Sequence, residues 1–130
     1  MVKRISFDFD GTLTEQHIQL VAKRAIQDGH KVYITTARFA HKSFPFINKD
    51  LLGIAEELGI PTSRIRFTEG TEKNEWLHDF DIHFDDCKLQ LESIKETVHG
   101  ITCIWVRPDR HLEEIAEPSY KKTESGIILL

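Results

Sequence analysis

Strand-like and helix-like stretches alternate along nearly the whole of this chain, and that alternation narrows the folds open to it. Arg4 to Phe9 places Ile5, Phe7 and Phe9 at every second position, the period of a strand. From Glu15 to Asp28, Ile18, Val21, Ala22, Ala25 and Ile26 recur at helical spacing, with Thr14 as the N-cap and Asp28-Gly29 as the stop. Lys31 to Thr35 is β-branched and aromatic, a second strand. Residues 39–47 read as irregular and carry Pro45. Asn48 is then placed to cap a helix through Leu51, Leu52, Ile54, Ala55 and Leu58, closed by Gly59 and Pro61. A short strand over Ile65–Thr68 and a short helix over Glu72–His78 follow. Asp81–Phe84 reads as a fourth strand, Lys88–Val98 as a helix and Ile101–Val106 as a fifth strand. In the tail, residues 111–117 read as a helical turn and Ile127–Leu130 as a strand at a sheet edge.

Strands joined through helices pack as a parallel sheet with right-handed crossovers and a helical layer on each face. The expected fold is therefore α/β: a Rossmann-like three-layer sandwich around a central five-stranded parallel sheet. The 130 residues suffice for one domain, spanning 1–130. A hydrophobic fraction of 40% against 29% charged residues places the chain with globular proteins rather than disordered ones. The net charge of −4 disfavours a broad nucleic-acid surface. No apolar run approaches the roughly 20 residues of a membrane span. Met1-Val2-Lys3-Arg4-Ile5 leads straight into the first strand, so no signal peptide is expected. Cys87 and Cys103 lack CxxC spacing, which suits a reducing, cytoplasmic setting.

In sheets of this class reactive groups gather beyond the carboxyl ends of the strands. The polar residues that need explaining fall there. Asp8 and Asp10 follow the first strand; Thr35, Thr36 and Arg38 follow the second. Lys73 opens the helix after the third, and Asp85-Asp86 follow the fourth. Carboxylates brought together in a partly dry strand end repel one another. A chain keeps such a pair when a cation sits between them, which points to a divalent metal and chemistry on an anion. The seven histidines form no HxH or HExxH pattern, so they are read as non-metal.

Asp8-Phe9-Asp10-Gly11-Thr12-Leu13-Thr14 resembles the first signature of the haloacid dehalogenase superfamily of phosphatases. Thr36-Ala37-Arg38, Lys73 at a helix start, and Asp85-Asp86 after Asp81-Ile82-His83-Phe84 resemble its second, third and fourth signatures, in the same order. The resemblance runs from Ile5 to about Val106. It implies a phosphate monoester hydrolase that passes through an aspartyl-phosphate on Asp8. Asp10 would act as general acid and base, Thr36 would bind the transferring phosphoryl group, and Lys73 would offset its charge. Mg²⁺ would bridge Asp8, the backbone carbonyl of Asp10, and Asp85. Asp86 would hold Lys73 or a metal-bound water. Gly11 would permit the tight turn, and Thr12 would brace it. Relatives that cleave carbon–halogen bonds lack an acid at the position of Asp10, so its presence favours phosphate esters. Thr35 and Thr36 both stay open as the phosphate-binding hydroxyl, and resemblance to the family's TxR form favours Thr36.

Capped members of that superfamily carry an inserted domain after the first signature or before the third. Here one helix fills the first gap, and a loop, a helix and a strand fill the second, so a small capless member is expected. The loop from Phe39 to Lys49 mixes cations and aromatic rings, and Arg38, His41 and Lys42 are its candidate substrate contacts. The expected partner is a small phosphorylated metabolite, a sugar phosphate or a nucleotide. A homo-oligomer would give such an open site a roof. The alternatives are a receiver-like signalling domain, disfavoured because Thr36 and Lys73 precede Asp85, and a catalytically silent relative kept as a binding module.

Overall fold

The computed structural model describes residues 1–116 and the backbone of 120–123 and 126–129. The fold is α/β, built on a mixed, mostly parallel six-stranded sheet. Its strands are β1 (Arg4–Phe7), β2 (Lys31–Thr36), β3 (Ile65–Phe67), β4 (Ile82–Asp85), β5 (Thr102–Val106) and β6 (Leu112–Ile115). They lie in the order β3-β2-β1-β4-β5-β6. β1 to β5 run parallel and β6 pairs antiparallel with β5. Three helices, α1 (Gln16–Gln27), α2 (Lys49–Leu58) and α3 (Lys88–Thr97), complete the layers. Among the described residues, no helix is long and apolar enough to cross a membrane.

Alternation along the strands divides the core in two. Ile5, Phe7, Val32, Ile34 and Phe84 face Ile18 and Ala22 of α1 and Leu51 and Ala55 of α2. Cys103 and Ile115 face Leu91 and Ile94 of α3, with Leu77, Phe80, Val98 and Ile101 around them. Phe7 and Phe84 stack across the β1–β4 seam, with ring centroids 4.5 Å apart.

Several expectations are corrected. The central sheet has six strands rather than five, because 112–115 extends it as β6 and is not a helical turn. Leu112 opposes Val106, and Ile115 opposes Cys103 over the second core, so the edge of β5 draws these residues into a ladder. Residues 126–129 pair with 120–123 in a separate two-stranded sheet rather than on the main sheet; Glu117 and Leu130 lie outside the described residues. The first strand stops at Phe7, and Phe9 enters the turn that follows. Thr14 does not cap α1: the position before that helix is Glu15, and no side chain caps it. Asn48 precedes α2 but its amide serves elsewhere, donating to the carbonyls of Phe39 and Ala40. The helix expected over 72–78 is a single 3₁₀ turn, Lys73–Trp76.

Candidate functional site

β1 lies between β2 and β4, so the chain's crossovers diverge on either side of the β1–β4 seam. The crevice beyond the strand ends at such a switch point is the usual ligand position in open α/β sheets. Asp8 stands there, immediately after β1, and Asp85 is the last residue of β4. The Asp8 backbone N–H donates to the Phe84 carbonyl at 2.9 Å, which ties the two strand ends together.

Beyond Asp8 the chain makes one wide turn over Phe9–Leu13. Gly11 has φ +76°, and a Cβ there would overlap the Asp86 carboxylate. Only glycine lets this turn close against the acid loop. The Thr12 hydroxyl donates to Asp8 Oδ2 at 3.1 Å. Lys73 arrives from its 3₁₀ turn, which Asn74 fastens to α3 through hydrogen bonds to Ser93 and Thr97. The Lys73 ammonium, nearly fully buried, donates to Asp8 Oδ1 at 2.7 Å and to Asp85 Oδ2 at 2.8 Å. Asp86 completes the group: oxygens of Asp8, Asp85 and Asp86 all lie within 4.8 Å of one another. The Trp105 indole N–H holds the Asp86 carbonyl at 3.0 Å, and the Cys87 backbone N–H donates to Asp85 Oδ1 at 3.1 Å.

Electrostatically the cluster is over-supplied with negative charge. Burial, followed by the charge of Asp85, pushes the Asp8 carboxyl up to about 7 even with Lys73 pulling the other way. Burial also opposes ionising Asp85, but His83 and Lys73 together hold its carboxyl below the usual range. Burial and Asp85 raise Asp86. Desolvation works against the Lys73 charge, yet Asp85 and Asp8 overcome it and raise its pKa. Three carboxylates crowd around one ammonium, which pairs with two of them. Such a compact set of hard oxygen donors could hold a metal ion. The acid that joins Asp8 and Asp85 through its side chain is Asp86, not Asp10, and Lys73 pairs with Asp8 and Asp85 rather than Asp86.

The Asp10 side chain points to Arg38, its two oxygens accepting from Nε at 2.9 Å and Nη2 at 2.7 Å. Arg38 also binds both oxygens of Asp50, at 2.8 and 2.9 Å, and lies over the Phe9 ring. The hydrogen bond from Arg38 holds the Asp50 carboxyl down at about 2. Arg38 is thus engaged in a two-acid clamp. Thr35 Oγ1 is fully buried and committed to Ser6 Oγ at 2.7 Å. Thr36 Oγ1 accepts the Arg38 backbone N–H at 3.2 Å and, among the described residues, has no acceptor for its own proton.

A groove of about 920 Å³ runs from Arg38 between the 39–47 loop and α2, lined by Phe39, His41, Ile47, Lys49 and Ile54 among others. His41 lines it, whereas Lys42 is exposed and makes no ion pair among the described residues. Asp50, His83 and Trp105 touch site residues, Ser6 bonds His83 behind them, and Asn74 anchors the Lys73 turn; none was foreseen. For Ser6 and His83 a signal existed, since both are polar at inward positions of central strands. The chain matches no protein-family model, and no curated protein is significantly similar to it.

Proposed function

We propose that this chain is a Mg²⁺-dependent phosphatase that hydrolyses a phosphate monoester through an aspartyl-phosphate on Asp8. The observation that carries the reading is the convergence of Asp8, Asp85, Asp86 and Lys73 at the β1–β4 switch point. It agrees with the signature order that resembles haloacid dehalogenase phosphatases, of which this would be a small capless, cytoplasmic member. Asp8, Asp85 and the Asp10 carbonyl would hold Mg²⁺, with Asp86 alongside. The ion would neutralise the acids and polarise a phosphate oxygen.

In the first step an Asp8 oxygen attacks phosphorus and the bond to the ester oxygen breaks. The departing alkoxide takes a proton from Asp10. Lys73 favours the ionised form of Asp8 and balances the phosphoryl charge, and Thr36 donates its free hydroxyl to a phosphoryl oxygen. In the second step Asp10 removes a proton from water, which attacks the acyl phosphate and frees both Asp8 and inorganic phosphate. Asp10 must leave Arg38 to do this, and Asp50 keeps the guanidinium paired when it does. The groove beside Arg38, with His41 on its wall and Lys42 nearby, would receive the organic part of a sugar phosphate or nucleotide. The test is hydrolysis of p-nitrophenyl phosphate with Mg²⁺, with EDTA, and by Asp8→Asn. Activity is expected in the first case only, and full activity in Asp8→Asn would overturn the proposal.

A further inference from the structure

Behind the acid cluster a line of buried polar side chains crosses three strands. Thr35 Oγ1 on β2 lies 2.7 Å from Ser6 Oγ on β1, Ser6 Oγ lies 3.0 Å from His83 Nδ1 on β4, and His83 Nε2 lies 3.0 Å from Asp85 Oδ2. Thr35, Ser6 and His83 are all fully buried, on the sheet face opposite Phe7 and Ile34. We infer that His83 is a positioning residue that aims Asp85 through its Nε2–H, with Ser6 and Thr35 fixing which ring nitrogen carries the proton.

The direction of every bond in the line follows from donor bookkeeping. An ionised carboxylate only accepts, so Nε2 carries a proton and donates to Asp85. For a ring that carries one proton, that proton sits on Nε2, where Asp85 Oδ2 is the acceptor 3.0 Å away. Nδ1 is then a bare acceptor, and the Ser6 hydroxyl donates to it. That uses the only proton Ser6 has. Thr35 must therefore donate to Ser6. Each member has one arrangement open to it, so the ring can neither flip nor exchange tautomers without stranding a buried polar atom. At Asp85 the consequence is orientation. Oδ2 receives both His83 and Lys73, while Oδ1 receives the Cys87 backbone N–H. The carboxylate plane is thereby fixed before any ligand binds. Partners of this kind, one bond behind a ligating group, set ligand direction in metal sites.

The assignment of the ring proton rests on the geometry alone, whereas its consequence for Mg²⁺ rests on the function proposed above. The experiment separates the two. In metal-free, ¹⁵N-histidine-labelled protein, long-range ¹H–¹⁵N correlation is expected to show His83 protonated at Nε2 and bare at Nδ1. An Nδ1–H tautomer or an imidazolium would overturn the inference. Calorimetric titration with Mg²⁺ alone then reads positioning. His83→Leu should bind at least about tenfold more weakly, and His83→Gln, which retains a donor at the same reach, should recover most of the loss. Wild-type affinity in a folded His83→Leu, or no recovery by His83→Gln, would overturn the positioning role. Ser6→Ala gives a milder variant should the leucine substitution not fold. It leaves Asp85 untouched and is expected to loosen Mg²⁺ binding and alter the His83 nitrogen shifts, and unchanged values in both would overturn the proposed wiring. Wild-type protein that takes up no Mg²⁺ would overturn the proposed function, and the metal-free spectrum would still decide the imidazole assignment.

Discussion

The crowding of acids at the switch point makes a quantitative prediction about Asp8→Asn in EDTA. Burial and Asp85 move the Asp8 carboxyl from an ordinary 3.8 to about 7. Three pKa units at about 1.4 kcal/mol each give a ceiling of about 4 kcal/mol for the cost of ionising Asp8 in the metal-free fold. The sign follows from proton counting. Between the ordinary value and about 7 the native state keeps a proton that the unfolded chain has shed, so stability falls as pH rises through that window. At pH 8 the full cost applies, and at pH 5 only about 2 kcal/mol of it does. Asparagine has nearly the same shape, cannot ionise, and still offers Lys73 one acceptor. The stability of Asp8→Asn relative to wild type should therefore improve by about 2 kcal/mol between pH 5 and pH 8, whatever constant offset the lost charge pair adds. Urea unfolding followed by the emission of Trp76 and Trp105 at the two pH values measures it. Added Mg²⁺ should stabilise the wild type at pH 8 and do little for the variant. Wild-type and variant stabilities that run parallel from pH 5 to pH 8 would refute the reasoning.

Gly11→Ala combines a left-handed φ of +76° with a collision against the Asp86 carboxylate, and should cost about 1–3 kcal/mol in thermal unfolding; an unchanged melting temperature would argue against the tight turn. Lys73→Met leaves Asp8 and Asp85 buried without their cation and should cost about 3–5 kcal/mol in EDTA at pH 8, read by urea titration. Arg38→Met should let the Asp50 carboxyl climb from about 2 back to the ordinary range, which a ¹³C titration resolves. The contribution of that pair is present above the ordinary carboxylate range and lost as pH falls toward 2. Because Asp50 is more than half exposed it amounts to less than about 1 kcal/mol, and the variant should show a correspondingly shallower acid limb.

Much of this architecture is legible in residue order. Five strands and three helices follow from period and punctuation, because strands repeat every second residue, helices every third or fourth, and glycine or proline marks the breaks. Ends shifted by a residue or so; Asp85, for instance, belongs to β4 itself. Leu112-Glu113-Glu114-Ile115 was misread because apolar residues three apart suit a helical turn as well as they suit β6. Only the free edge of β5 decides between them. Thr14 and Asn48 were assigned as caps from residue type alone, while tertiary contacts put the Asn48 amide on the 39–40 carbonyls. The ion pairs of Arg38 were not legible by inspection, since one partner comes from the turn after β1 and the other from α2. The four-part acid and lysine order was legible because strand ends share one rim. That the Asp10 side chain would turn to Arg38 was not, since side-chain direction depends on the turn at Gly11.

The seam that unites the acids also sets when in folding their repulsion is felt. β1 and β4 pair through Ile5 and Ile82, and the buried link between Ser6 and His83 spans 77 residues of sequence. Contacts of such long range close late, after local helices and nearer strand pairs have formed. Until then Asp8 is hydrated and far from the adjacent Asp85 and Asp86. The emerging chain thus collapses around its apolar strands unopposed, and electrostatic tension enters only once the scaffold able to withstand it has been assembled.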